Sequence, residues 1–380
     1  VVFFYQRFAS RYQQSGWPAR PSRLIWAGMN DKITINWYRS KVDKQVMSSL
    51  MRKSDARAFL QVLAQLGLYA ATACLAWLAF RNIGAANWTW AVPVLLLALF
   101  LHGTLASFFG GTAVHELSHK TPFKTPFWNE FFLHLYSFLS WSDPVGYRAS
   151  HVKHHQVTVH HDHDGEVVLP QGLDWHGVKF IVTQLTCDPR RIFDLVRKWV
   201  KMARGDLSEG NGVFTPDWTA RILPESNTDL RRRHRNWARC VLGGHVALAA
   251  VFVATGNWIL VPVVNFGCLY CPWLQTLTGA PQHAGLTPDV PDWRLCCRTY
   301  TCHWFPAFLY WNMQYHVEHH MFPAVPFYHL PRLRETIAHD LPPAPHGLFA
   351  VWREMLPILR RQREEPGWFF TPQIPQPAAT

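Results

Sequence analysis

Four runs of this chain, residues 60–80, 88–110, 240–255 and 258–279, contain no Asp, Glu, Lys or Arg. Most of them approach the length of about 20 residues that a helix needs to cross the hydrocarbon core of a bilayer. The 240–255 run is the short one, and it gains length from residues 236–239 or dips in and out with its neighbour. These runs predict an all-α integral membrane protein with four transmembrane helices, at about 60–80, 88–114, 237–255 and 258–279. The mean hydropathy of −0.07 conceals them, because the apolar residues are bunched. Ser54 followed by Asp55 reads as the N-cap and first-turn acid of the first helix.

Of the 37 Lys and Arg, only Arg81 falls in the short links 81–87 and 255–257. By the positive-inside tendency the remaining polar stretches, and with them both termini, face the cytoplasm. The expected organisation is a cytoplasmic or interfacial segment 1–59, a membrane domain 60–340 and a tail 341–380. The membrane domain carries a cytoplasmic helical cap built from 115–235 and 281–340. Trp17, Trp26, Trp37 and Tyr38, set among Arg and Lys, suit a segment with its rings at headgroup level. Residues 127–141 and 178–202 read as interfacial amphipathic helices, 304–320 as helix-like, and the Pro-rich tail from 342 as extended or loose. No secretory signal is expected from VVFFYQRF, which is too short an apolar run.

The net charge of +12 suits anionic lipid headgroups or an acidic electron carrier, and nothing points to nucleic acid. The eight cysteines show no regular framework and read as reduced, mostly buried thiols. Cys268 and Cys271 form a CxxC inside an expected membrane helix, without the second pair that a metal site needs.

The chemistry lies in the histidines. His115 and His119 stand four residues apart in VHELSHK, where a helix projects both rings from one face, one turn apart. HVKHH places His151, His154 and His155 at i, i+3 and i+4, and HVEHH repeats the pattern with His316, His319 and His320. With His283 in PQHAG, nine candidate ligands result, enough for two ions at four or five nitrogens each. An all-imidazole set suits a late first-row metal better than magnesium or calcium, and it differs from the four-ligand sites of structural zinc. Neutral imidazoles call for carboxylates on their outer nitrogens. Glu116, Asp143, Asp162, Asp164, Glu166 and Glu318 are candidates, with Asn312 reaching a metal through water. His160, His161 and His163 remain open between ligand and solvent roles. His102, His234, His245, His303 and His329 read as ordinary bonded histidines.

HELSH, HVKHH and NMQYHVEHHMFPAVPFYHLPRL resemble the three histidine boxes of the membrane-bound fatty acid desaturase and hydroxylase superfamily, a likeness spanning about 60–333. HELSHK is also similar to the first box of alkane monooxygenases. The resemblance implies a non-haem di-iron centre that uses O2 above a hydrophobic tunnel between four transmembrane helices. It makes the eight box histidines iron ligands and His283 the separate ninth. The implied reaction is oxidation of an unactivated C–H bond in a fatty acyl or similar long apolar chain. Desaturation ranks first, then hydroxylation, then oxidative decarboxylation of a free fatty acid to a terminal alkene. The chain has no HPGG haem module, no paired CxxC of a rubredoxin and no GxGxxG, so a separate ferredoxin or rubredoxin with its reductase is the expected electron donor. A metal transporter or sensor is the competing reading, and it requires ligating or charged groups deep inside the membrane helices.

Overall fold

The computed structural model describes residues 33–167, 178–211 and 213–375. Trp17 and Trp26 of the expected headgroup-level segment, and residues 376–380 of the tail, lie outside the described residues. Among the described residues every regular element is helical and no strand forms. Three stretches are long and apolar enough to cross a membrane: Lys44–Arg81, Trp88–Ser118 and Thr228–Ala254.

The first combines α1 (Lys44–Leu50) with α2 (Asp55–Arg81), and the Ser54 side chain caps α2 by accepting the Arg57 N–H. The second runs from α3 (Trp88–Phe108) through a π-helical turn, Phe109–Ala113, into α4 (Val114–Ser118). At 1.5 Å per residue this rod reaches about 45 Å, more than the hydrocarbon thickness of about 30 Å. Its last turns therefore project beyond the apolar zone. Among shorter helices, α5 (Pro126–Leu139) and α6 (Pro144–Val157) meet them there, while α7 (Val178–Leu185) and α8 (Arg190–Arg204) pack on later helices and α9 (Pro216–Ile222) packs on α6. The expected single helix over 178–202 is two, because Asp188 and Pro189 intervene and the Asp188 carboxylate accepts the Arg190 N–H at 3.1 Å. The third long helix, α10 (Thr228–Ala254), starts well before residue 237, where Asn227 accepts the Leu230 N–H.

The fourth apolar run is not one helix. Residues 258–279 pass through a π-helical turn at Val261–Asn265 and a 3-10 turn at Gly267–Leu269 before α11 (Trp273–Gly279). Pro262 and Pro272 each remove a backbone donor, and Cys271, just before Pro272, takes a left-handed φ of 51°. A break in an apolar zone frees carbonyls that lipid cannot satisfy, so side chains must cap them. His102 Nε2 lies 3.0 Å from Val263 O, and Trp141 Nε1 and the Tyr270 hydroxyl reach Asn265 O and Pro262 O at 2.5 Å each. His102 thus has a structural task apart from the boxes. Gly103 makes the close approach possible, since a Cβ there would fall 2.5 Å from Tyr270 O.

Beyond the break come α12 (Trp293–Cys296), α13 (Trp304–Leu309), α14 (His316–Met321), α15 (Leu330–Ile337) and α16 (Leu348–Glu364). The 304–320 stretch divides because Trp311 and Asn312 adopt φ of 49° and 56°, which end α13 and re-aim the chain into α14. The tail, expected to be extended, is helical over Leu348–Glu364, and the described residues on either side of that helix are not helical. Val351, Met355, Ile358, Leu359 and Gln362 form one buried face of α16, and Met355 and Leu359 pack on Ala280 and Ala284. Trp37 and Tyr38, of the segment expected at headgroup level, pack on α12. Trp37 stacks on Trp293 with centroids 4.4 Å apart, and the Arg294 guanidinium lies 3.6 Å over the Tyr38 ring.

Gly103→Ala should destabilise the fold by about 1–3 kcal/mol, the usual cost of overpacking. Gly67→Ala, where a Cβ meets nothing within 4 Å, should be neutral or stabilising. Thermal unfolding of both variants in detergent checks the contrast, and equal midpoints would contradict the close packing at Gly103.

Candidate metal centre

The histidine boxes gather where the long rod leaves the apolar zone. α4 carries His115 and ends on His119 as its cap residue. α6 carries His151, His154 and His155, and begins with Pro144 at its first turn, capped by Asp143, which accepts the N–H groups of Val145 and Gly146 at 3.1 and 2.9 Å. α14 carries the third box and is buried at all six residues. His283 follows the 3-10 turn Ala280–Gln282 that extends α11. Gly110 in the π-helical turn lets the α5–α6 link approach, since a Cβ there would fall 2.7 Å from Ser142 Oγ.

Two sets of donor atoms result. His115, His119, His151, His155 and His319 each bring a nitrogen within 4.8 Å of the others, and His283, His316 and His320 do the same with the sulfur of Cys297. The sets adjoin, with the His155 and His320 rings stacked at 4.4 Å. His154 stands beside the second set, its ring 4.9 Å from His320 and 5.4 Å from His283.

The outer nitrogens fix the ring orientation. His151 Nδ1 donates to Glu166 Oε1 at 2.7 Å, His154 Nδ1 to Asp164 Oδ2 at 2.8 Å, and His283 Nδ1 to Cys296 O at 2.9 Å. With Nδ1 protonated, each Nε2 turns a lone pair inward. His151 Nε2 lies 3.0 Å from the Nε2 atoms of both His119 and His155. His316 Nε2 lies 2.9 Å from His283 Nε2 and 3.1 Å from His320 Nε2. One lone pair cannot satisfy two such neighbours, and facing lone pairs repel. His319, 1% exposed, has no hydrogen-bond partner on either nitrogen. A cation in each set would remove the repulsion and satisfy these atoms, so the residues fit bound metal. Nitrogen-rich, carboxylate-poor donors suit iron or another late first-row ion.

The electrostatics keep the rings ready for metal. Burial, reinforced by neighbouring imidazoles, holds His151, His155, His316, His319 and His320 well below the ordinary histidine range. Burial and His154 push His283 down to about 3. His154 is the exception: burial would lower it, but the Asp164 and Glu166 carboxylates outweigh burial and raise it. Asp164 is held below its usual range by His154 and by backbone donors, against the opposite pull of burial, whereas burial pushes Glu166 up to about 7.

The carboxylate expectations divide on this geometry. Asp164 and Glu166 meet box imidazoles. Glu116 Oε1 lies 3.2 Å from His115 Nδ1 and 3.6 Å from His319 Nδ1, close but without hydrogen-bond alignment. Asp143 does not reach a box histidine, being held by the α6 N-terminus and by His234 Nδ1 at 2.8 Å. Asp162 is exposed at the tip of the turn after α6. Glu318, two residues after His316, sits about 200° round the helix, where it accepts from Thr299 Oγ1 at 2.5 Å and Arg334 Nη1 at 3.2 Å. The Asn312 amide donates to Phe327 O at 3.2 Å. His160, His161 and His163 lie outside both sets; His161 pairs with Asp289.

Sequence reasoning passed over Gln282, whose Nε2 lies 3.1 Å from His316 Nδ1, and Thr158, whose hydroxyl lies 3.3 Å from His320 Nδ1. It also passed over Cys297. Adjacency of Gln282 to His283, and of Thr158 one turn after His154, are the clues that could have found them.

A cavity opens beside the donor sets, bordered by Gly111, Tyr147, Glu166, Gly279, Tyr310 and Met313. A second cavity, with Ser107, Gly110, Cys268, Leu269 and Pro272 in its wall, shares Gly111 and Tyr147 with the first.

Three helices long and apolar enough to cross a membrane, one of them ending in clustered imidazoles, place the chain among membrane proteins with a candidate metal centre. Within that class, residues 88–352 match the fatty acid desaturase family, and the chain belongs to it. The chain is also 27% identical over 237 residues to a sphingolipid delta(4)-desaturase of Komagataella phaffii, an alignment covering 60% of this chain and 57% of that protein. The chain thus spans a little over half the length of that curated relative.

Glu166→Gln and Asp164→Asn should weaken metal binding about 10–100-fold, as loss of an orienting partner does, while Asp162→Asn should leave it unchanged. Metal content after dialysis against graded chelator measures this, and equal loss in all three variants would contradict the orienting role.

Proposed function

We propose that this chain performs O2-dependent desaturation of a long apolar acyl chain at two iron ions held by the nine histidines. The observation that carries the reading is the pair of adjoining imidazole sets at the end of the long Trp88–Ser118 rod, with a cavity beside them that shares lining residues with a second one. Bound iron would supply the oxidising power for an unactivated C–H bond, which acid–base side chains lack. The protein's part is orientation: Asp164, Glu166 and the Cys296 carbonyl aim His154, His151 and His283, and Gly111 and Tyr147 border the way in. Family membership and the likeness to a sphingolipid desaturase support oxidation of a lipid chain.

In this reading the broken 258–279 segment completes a four-span bundle, and the histidine layer and both termini face the cytoplasm. The electron donor is a separate ferredoxin or rubredoxin with its reductase, drawn to the basic face. Transport of metal is disfavoured by the membrane helices, where His102 and His245 are bonded to the carbonyls of Val263 and Phe138 at 3.0 Å each and form no ligand ladder.

Cells expressing the chain with its reductase partners and fed perdeuterated fatty acids under labelled dioxygen should yield a product lacking two deuteriums and carrying no label. A labelled product would establish hydroxylation instead, and a one-carbon-shorter alkene decarboxylation. His154→Ala or His319→Ala should abolish the product and lower bound iron; full activity in either would overturn the site.

A further inference from the structure

A cleft of about 850 Å³ opens between the 33–39 stretch, α6, α9 and α12. The cavity beside the donor sets is lined by His151 and His154 of the second box, whereas this cleft is lined by His155, and the two share no lining residue. The cleft wall carries Arg39, Lys153 and Arg221 and, among the described residues, no Asp or Glu. Asp162 and Asp217 stand near Arg221. Arg39 and Lys153 are exposed, and neither pairs with a carboxylate among the described residues. Their charged ends lie 5.9 and 5.8 Å over the rings of Trp293 and Trp218. A concave wall of one sign focuses its field on whatever approaches.

The same wall holds a path inward. Trp37, half-buried, stacks on Trp293 with centroids 4.4 Å and planes 4° apart, and its Nε1 donates to Gln156 O at 2.9 Å, which pins it to α6. Trp293, 2% exposed, has its ring 6.4 Å from that of His320. The Thr158 hydroxyl donates to His154 O at 2.7 Å, so its oxygen accepts from both Trp293 Nε1 at 3.2 Å and His320 Nδ1 at 3.3 Å. The indole pair thus joins the basic cleft to a histidine of the second donor set, first by stacking and then through one shared acceptor.

We propose that this cleft is the docking face for an acidic one-electron iron–sulfur carrier, and that Trp37 and Trp293 conduct its electron toward the ion held by the second histidine set. The proposal rests on the two-iron reading above. In each encounter the carrier's cluster is oxidised by one electron and one iron is reduced from ferric to ferrous, and no bond forms or breaks. Two encounters supply two electrons, which with two from the substrate's C–H bonds and two protons from water complete the reduction of O2 to water. An anionic lipid surface would also satisfy the cations, but it has no use for a relay that ends on a ligand histidine.

The test measures association of a purified, acidic [2Fe–2S] ferredoxin with the full chain in zwitterionic nanodiscs, over a range of salt. Arg39→Glu combined with Lys153→Glu should lower the association rate at low salt about tenfold or more and flatten its salt dependence. Arg190→Glu combined with Arg197→Glu, two exposed cations of α8, should leave both unchanged. With reduced ferredoxin at saturation, Trp37→Leu should slow reduction of the bound iron several-fold at unchanged affinity, and Trp37→Phe should restore it. Equal effects of the two charge pairs, or no effect of either, overturn the docking face. So does an Arg39–Lys153 double variant that loses phosphatidylglycerol vesicles but keeps ferredoxin, which would make the cleft a lipid contact. Iron reduced as fast in Trp37→Leu as in the unmodified chain overturns the relay. The charge variants lie at the surface and decide the docking face even where Trp37→Leu does not fold. Fewer than two irons bound by the unmodified chain fails the two-iron reading, whereas association with the metal-free chain judges the docking face separately.

Discussion

The site depends on a buried carboxylate that returns to the helix it has just left. Asp164 lies beyond the end of α6, yet its Oδ2 accepts His154 Nδ1–H and the Val159 N–H at 2.8 Å each, and its Oδ1 accepts the Glu166 N–H at 2.9 Å. Val159 is β-branched and sits at φ 58°, a conformation costing about 1–3 kcal/mol that persists only where its surroundings over-determine it. The Asp164 bond to Val159 is that determination. The tight reversal it holds brings Glu166 back over His151, and a relay from Trp218 Nε1 to Ser150 Oγ to Glu166 Oε2, at 2.9 and 2.7 Å, fixes Glu166 in turn. Strain in one peptide thus sets the direction of two rings.

Polar nodes inside the apolar bundle do the corresponding work for the other histidines. Gln65 on α2 accepts from the Tyr136 hydroxyl at 3.1 Å and from Trp311 Nε1 at 3.0 Å. It ties the first long helix to α5 and to the left-handed turn that launches α14. Across the bundle, Asn265 Nδ2 donates to His245 O at 2.7 Å while Asn265 O takes the Trp141 indole. The break in the fourth run is therefore held on both sides. It also redirects the chain: Pro272 starts α11, whose 3-10 extension delivers His283. An unbroken helix over 258–279 would have carried that residue elsewhere.

What was legible in the sequence was local. The i, i+3, i+4 spacing of His151, His154 and His155 needs only one helix to be meaningful, and uncharged runs announce membrane length without knowledge of any neighbour. The orienting groups were not legible to the same degree, because Asp164 and Glu166 reach their rings through a reversal fixed by a strained valine. Asp143 and Glu318 lie as near the boxes in sequence but are turned to a helix N-terminus and to Arg334. The break at 258–279 was hidden because its cost is met by His102 and Trp141, residues more than a hundred positions away. The apolar face of α16 was present in the spacing of Val351, Met355, Ile358 and Leu359, and the prolines around it drew attention from it.

The π-helical turn at Phe109–Ala113 reconciles two demands on one rod. Below it, α3 must turn Ala106, Phe108 and their neighbours into the bundle; above it, α4 must present His115 and His119 to α6 and α14. An extra residue in a turn retards every later position by about 100° relative to an unbroken α-helix, which is what lets one rod serve both faces. The turn also contains Gly110 and Gly111, the first pressed against Ser142 and the second in the wall shared by the two cavities. The register shift that aims the first histidine pair and a wall common to the two cavities therefore fall within the same five residues.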